Sequence, residues 1–173
     1  INLKLYRHQK EALELLYQGK NVVLTTPTAS GKSLVFRLYI LDKYLSNPAK
    51  TFILIYPMRA LLYDQYEKFM SLIEDFNKNS SKKIDIKVGI LLGDLTYKEK
   101  EKLINERPHL IFTTIDNLHL FLLKNHGKLH YFFRNLDLIV VDELHSYRGV
   151  FGTNSAYVFR RLIKLLKFLY KNN

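Results

Sequence analysis

Cysteine is absent from this chain of 173 residues. Disulfides and cysteine-based metal sites are thereby excluded. The absence fits a reducing compartment, so the cytoplasm is the expected location, nucleoid-associated in a prokaryote. Also missing is any apolar run approaching the ~20 residues of a membrane-spanning helix. No signal-peptide pattern opens the chain, and neither internal repeats nor low-complexity linkers interrupt it. A membrane partner is not expected. Acidic residues are comparatively few, 16 Asp+Glu against 27 Lys+Arg, for a net charge of +11. A field of that sign favours polyanions such as nucleic acid or an anionic membrane surface, although a solvated lysine-rich face has the same composition.

What remains is a chain of ordinary globular make-up, 47% hydrophobic and 25% charged, long enough for one domain with a sizeable core. It starts at Ile1 rather than Met and stops after a lysine-rich helix, so residues 1–173 are expected to be one domain of a longer protein. Its centre is Thr25-Thr26-Pro27-Thr28-Ala29-Ser30-Gly31-Lys32-Ser33, entered by apolar Val22-Val23-Leu24 and left by an apolar-periodic stretch (Leu34, Val35, Leu38, Leu41, Leu45). Strand, small-residue loop ending in Gly-Lys-Ser, then helix is the layout of a phosphate-binding loop. Backbone N–H groups over Thr28 to Ser33 would converge on phosphate oxygens at a helix N-terminus. Lys32 would reach the β/γ-phosphates and the Ser33 hydroxyl would hold Mg²⁺. The usual first Gly of this pattern is Thr26 here, and an ordinary strand–loop–helix corner is the competing reading of the loop alone.

Taken in order, the pattern predicts a helix from Arg7 to Leu16 ended by Gly19, a strand over Val22–Thr25, and a helix to about Leu45 stopped by Asn47-Pro48. Further strands are predicted at Thr51–Ile55, Ile86–Leu91, His109–Thr113 and Leu136–Val141. Helices are predicted over Arg59–Phe76, Tyr97–Asn105, Asp116–Leu123 and Thr153–Leu169, with a polar loop at Asn77–Lys83. Near-continuous apolar strands alternating with helices predict a parallel sheet covered on both faces, a three-layer α/β domain.

The strand Leu136–Val141 delivers Asp142-Glu143-Leu144-His145. Adjacent carboxylates at the carboxyl end of an apolar strand form a Walker B arrangement, at the edge where open α/β sheets bind ligands. Asp142 would hold Mg²⁺ opposite Ser33, and Glu143 would orient or deprotonate the attacking water. Alone, the pair could simply cap the next helix. Together with Gly31-Lys32-Ser33 it defines a nucleoside triphosphatase core. The histidines His119, His126 and His130 are too dispersed to propose a metal.

Asp142-Glu143-Leu144-His145 resembles the DExH box of superfamily two helicases, whose phosphate loops commonly lack the first Gly and contain Thr-Pro-Thr. Tyr56-Pro57-Met58-Arg59-Ala60-Leu61 resembles their motif Ia, and Gln9 stands where an adenine-reading Gln occurs. Leu5-Tyr6-Arg7-His8-Gln9 and Asp142 through Gly152 look like one branch, the Hrq-type, RecQ-related DNA helicases together with bacterial mitomycin-repair factor A. Thr113-Thr114-Ile115-Asp116-Asn117-Leu118-His119 departs from that branch in its middle. The resemblance implies a RecA-like first motor domain using ATP and Mg²⁺, catalysed through Lys32, Asp142 and Glu143. Gln9 would read the adenine edge with Tyr6 or Arg7 packing nearby, although Tyr6 could equally be a core aromatic. Arg59, Thr113 and the Gly93-Asp94 turn would follow the phosphates of a tracked single strand, DNA before RNA. His145 would couple the nucleotide site to nucleic acid. Arg148 and Phe151 belong to the family pattern, with no physical role assigned beyond a polar anchor and a packed ring. A second RecA-like domain, which would contribute arginines to γ-phosphate transfer, is the expected partner and is not encoded in these residues. An RNA helicase or restriction-type translocase is the alternative; a P-loop kinase or GTPase is disfavoured by motif Ia and Gln9.

Overall fold

The computed structural model describes residues 4–25 and 30–171. The elements run α1 (Arg7–Tyr17), α2 (Lys32–Ser46), β1 (Thr51–Ile55), α3 (Arg59–Asn79), β2 (Val88–Leu91) and α4 (Tyr97–Asn105). They continue with β3 (Leu110–Thr113), the short α5 (Ile115–Asn117), α6 (His130–Arg134), β4 (Leu136–Val141) and α7 (Gly149–Lys171). The strands form one four-stranded sheet in the order β2-β3-β1-β4. Every pairing is parallel, with Ile53 opposite Ile111 on one side and Ile139 on the other. The predicted α/β class, with a parallel sheet between helical layers, is what folds.

β1 is apolar throughout after Thr51, yet its side chains alternate between two cores. Phe52 and Leu54 pack with Ile40 and Leu41 of α2 and Leu62 and Phe69 of α3. Ile53 and Ile55 pack with Leu118, Phe132, Phe133, Val158 and Leu162 on the opposite face. The two-residue period of a strand does this regardless of hydrophobic pattern, and each such fully buried side chain contributes about 1.5–3 kcal/mol. Polar ties fix α2 against the sheet: the Tyr39 hydroxyl donates to Asp137 at 3.0 Å and the Tyr44 hydroxyl to the Asp85 carbonyl at 2.7 Å. Lys50 closes on the other oxygen of Asp137 at 2.8 Å.

Four expectations change. Val22–Thr25 is not a strand: the segment makes no sheet pairing, Val23 is 72% exposed, and β4 forms the sheet edge. Three apolar residues between Asn21 and Thr25 are too few to impose pairing. Accordingly Leu138 to Val141 stay only half-buried, whereas β1 and β3 are wholly buried. The helix expected at Asp116–Leu123 is the three-residue α5 followed by a wider π-type turn at Leu118–Leu122, where the Leu123 N–H donates five residues back to Leu118 at 2.9 Å. The last helix begins at Gly149, four residues earlier than its pattern implies. Helix α6, five residues long, is too short to show a period and was not foreseen.

Candidate nucleotide site and nucleic-acid face

A parallel sheet brings the residues after every strand to one edge. Tyr56 to Arg59 follow β1, Leu92 to Asp94 follow β2, Thr114 follows β3, and Asp142-Glu143 follow β4. Ser30 and Gly31 lead into the first turn of α2, which carries half-buried Lys32 and Ser33. Thr28 and Ala29, expected in the phosphate cradle, lie outside the described residues.

Gly31 has φ +76°, and a Cβ on it would stand 2.5 Å from Gln9 Nε2. The left-handed backbone favours glycine, and a side chain there would have to displace the Gln9 amide. Gln9 is 2% exposed. Its Nε2 donates to the Gly31 carbonyl at 2.9 Å, and its Oε1 accepts from the Tyr6 N–H at 2.9 Å. His8 Nε2 lies 3.1 Å from the Ser30 carbonyl oxygen, with the Tyr6 ring stacked on the imidazole at 5.8 Å. The start of α1 is thus tied to the segment that enters α2. Tyr6 is 66% exposed, so it is not a core aromatic. Arg7 points to solvent and pairs with Glu11 at 2.7 Å.

Asp142 is half-buried, and its N–H extends the β1–β4 ladder to the Ile55 carbonyl at 3.0 Å. Burial pushes its carboxyl above the usual carboxylate range. The Glu143 charge adds to that rise, while the Glu143 N–H donated at 2.9 Å and the charges of Lys32 and Arg37 oppose it. The Lys32 charge is thus felt at Asp142. Glu143 has φ +49°, a left-handed backbone that costs a non-glycine residue about 1–3 kcal/mol and is typical of functional positions. His145 Nδ1 sits 3.2 Å from its carboxylate, and His145 itself is exposed.

Arg37 was not singled out from sequence, though it lies four residues after Ser33 on the same helix face. Its Nη2 donates to Gln65 Oε1 at 2.6 Å, joining α2 to α3. Burial lowers its basicity, against the opposing pull of Tyr56, Asp64 and Asp142. Arg37 Nε and the Tyr56 hydroxyl are buried without a hydrogen-bond partner in this region. Ser33 and Asp142 offer the hard oxygen donors that suit Mg²⁺, an ion held largely by water and substrate phosphates rather than by a full protein cage. Among the described residues there is no group of three or more His, Cys, Asp or Glu able to hold a metal.

On the other side of Tyr56 a cavity of about 380 Å³ opens between Arg59, Gly93, Asp94, Thr114, Asp116 and Phe151. Arg59 and Asp94 form an ion pair at its rim, both about half-exposed. Thr113 does not belong to this face: it is fully buried, and its hydroxyl donates to the Leu91 carbonyl at 3.0 Å inside the sheet. As the last residue of β3 it still faces a core; Thr114, one step on, is the threonine that reaches the cavity. Arg148 is exposed, and Phe151 stacks on Tyr147 at 5.3 Å and 19°.

Gly31-Lys32-Ser33 at the start of α2 and an Asp-Glu pair at the carboxyl end of β4, on an all-parallel sheet, mark the class, a domain of the RecA-like kind. The DEAD/DEAH box helicase model matches residues 6–170, and the chain belongs to that family. It is 52% identical, over 99% of its length, to the uncharacterized ATP-dependent helicase MJ1574 of Methanocaldococcus jannaschii, covering 25% of that protein. Against the ATP-dependent helicase HRQ1 of Saccharomyces cerevisiae the identity is 38% over 97% of the chain and 15% of the relative. The DUF1998 helicase MrfA, solved with DNA and AMPPNP, superposes with a TM-score of 0.86 at 35% identity, over 95% of this chain and 22% of that one. The branch is thus the Hrq-type and MrfA one. The chain spans a quarter or less of these relatives.

Proposed function

We propose that this chain is the ATP-binding motor domain of an ATP-dependent DNA helicase or translocase, acting in DNA repair in the cytoplasm. The observation that supports the reading is that Gly31-Lys32-Ser33 open α2 while Asp142-Glu143 follow β4, in a domain whose strand ends also bear a cavity lined by Arg59. Lys32 neutralises phosphate charge, and the loop over Thr28, Ala29, Ser30 and Gly31 presents N–H groups to it. Ser33 and Asp142 would hold Mg²⁺, which when bound would offset phosphate charge. Glu143 orients the attacking water and accepts its proton, with His145 steadying the carboxylate. Gln9, flanked by Tyr6 and Arg7, contacts the adenine edge. DNA rather than RNA is favoured because MrfA has been solved with DNA. The strand passes along Arg59 and the Gly93-Asp94 turn, single-stranded DNA being the expected form. A second RecA-like domain completes the hydrolytic site.

The division of roles is tested by calorimetry with ATP and Mg²⁺. Lys32→Ala should lose about ten- to a hundredfold in affinity, the worth of a charge-assisted contact of roughly 1.5–3 kcal/mol. Glu143→Gln should bind as the parent does, because its work follows binding. Equal losses in the two variants would remove this assignment.

A further inference from the structure

The cavity beside Arg59 has walls that a phosphate would not select. Two carboxylates line it, Asp94 and Asp116, against the single guanidinium of Arg59, which Asp94 already neutralises. A phosphate placed inside would meet net negative charge. The remaining wall is different in kind. Phe151 lines the cavity and is 39% exposed. One face of its ring lies against Tyr147, which in turn packs against Phe159 and the core beneath α7. The backbone there is held as well: the Gly152 N–H donates to the Arg148 carbonyl at 3.0 Å, and Gly152 lies so close to Tyr147 that its Cβ would stand 2.5 Å from the carbonyl oxygen. The Phe151 ring is therefore presented in a set orientation. Also lining the cavity, Asn117 donates through Nδ2 to the Thr114 hydroxyl at 2.9 Å, and Asn117 Oδ1 is turned toward Gly93 of the cavity wall.

A flat apolar face next to carboxylate and amide oxygens complements a nucleobase, whose ring stacks and whose exocyclic amino group donates. We propose that this cavity seats one unpaired base of the tracked strand, stacked on Phe151, while the phosphates stay outside it. This rests on the nucleic-acid reading above and adds to it a contact that charge does not supply.

The two kinds of contact separate by salt and by substrate. Binding of the protein to a labelled single-stranded DNA, and to an abasic strand of equal length, is measured by fluorescence anisotropy over a range of salt. Phe151→Ala should weaken the base-bearing strand by about five- to a hundredfold, the worth of one base stacked on an aromatic ring. Its slope of log K against log salt should match the parent, and the abasic strand should bind both proteins alike. Phe151→Leu, which keeps an apolar side chain in the same packing, should show the same loss on the base-bearing strand, and Phe151→Tyr should restore binding. Arg59→Ala, by contrast, should weaken both strands and reduce the slope by about 0.7 for a single phosphate contact. Equal weakening of both strands by Phe151→Ala, unimpaired binding by Phe151→Leu, or a parent protein that holds the two strands equally would overturn the base site and leave the nucleic-acid reading standing. A parent protein that binds neither strand would sink both.

Discussion

Gln9 uses both ends of its amide within the protein, one to Gly31 and the other to Tyr6. An amide nevertheless keeps a second N–H and a second lone pair, so a further partner at each end is chemically open. If adenine takes those, the same side chain that reads the base also holds the segment that enters α2. Gln9→Ala should then do two things at once in a competition assay: lower affinity for ATP and for GTP, and narrow the gap between them. A variant that loses affinity while keeping its full preference for ATP would make Gln9 a tether alone. Gly31 belongs to the same argument, since the Gln9 amide occupies the space a side chain there would need. Nothing in the local sequence announces that contact, because it joins residues twenty-two positions apart.

At the level of elements, the long periodic and the wholly apolar segments were legible: β1 and α4 fall at their predicted bounds, and α2 within a residue. Of the candidate site, Asp142 and Glu143 follow β4 and Gly31-to-Ser33 open α2, the local positions that motif order implies, although the strand expected before Gly31 is not part of the sheet. What could not be read depends on partners distant in sequence. Val22–Thr25 has a strand's composition but makes no sheet pairing, and Thr113 has the type of a contact residue but the burial of a core one. Arg37 is visible only once Gln65 arrives from α3. The start of α7 offers a test at this scale. Gly152→Ala would bring a Cβ within 2.5 Å of the Tyr147 carbonyl oxygen, a backbone atom that cannot swing aside. Overpacking of that kind costs about 1–3 kcal/mol, so the variant should melt several degrees lower. An unchanged melting temperature would mean that the turn from Ser146 to Gly149 yields easily.

For the whole molecule, the decisive quantity is positive charge available to the γ-phosphate at the moment of transfer. Phosphoryl transfer is accelerated mostly by electrostatic stabilisation, and an arginine finger contributes about 10³–10⁵ of the rate. The cations that Asp142 feels are Lys32 and Arg37. Lys32 is assigned to ground-state phosphate, and Arg37 is anchored to Gln65 with its basicity lowered by burial, which suits it to join α2 and α3 rather than to reach a nucleotide. Glu143 meanwhile faces His145, an exposed residue. The net charge of +11 can attract a nucleic acid strand but does not place an arginine at the site. Residues 1–173 alone should therefore bind ATP and hydrolyse it at least about a thousandfold slower than the same residues joined to a second RecA-like domain. Single-stranded DNA should stimulate the isolated domain little, and both the basal rate and the stimulation should return together when the second domain is attached. Steady-state phosphate release, measured with and without single-stranded DNA on both forms, decides the matter. Robust DNA-stimulated turnover from residues 1–173 alone would mean that the catalytic charge is complete within this domain, and the two-domain motor would have to be abandoned.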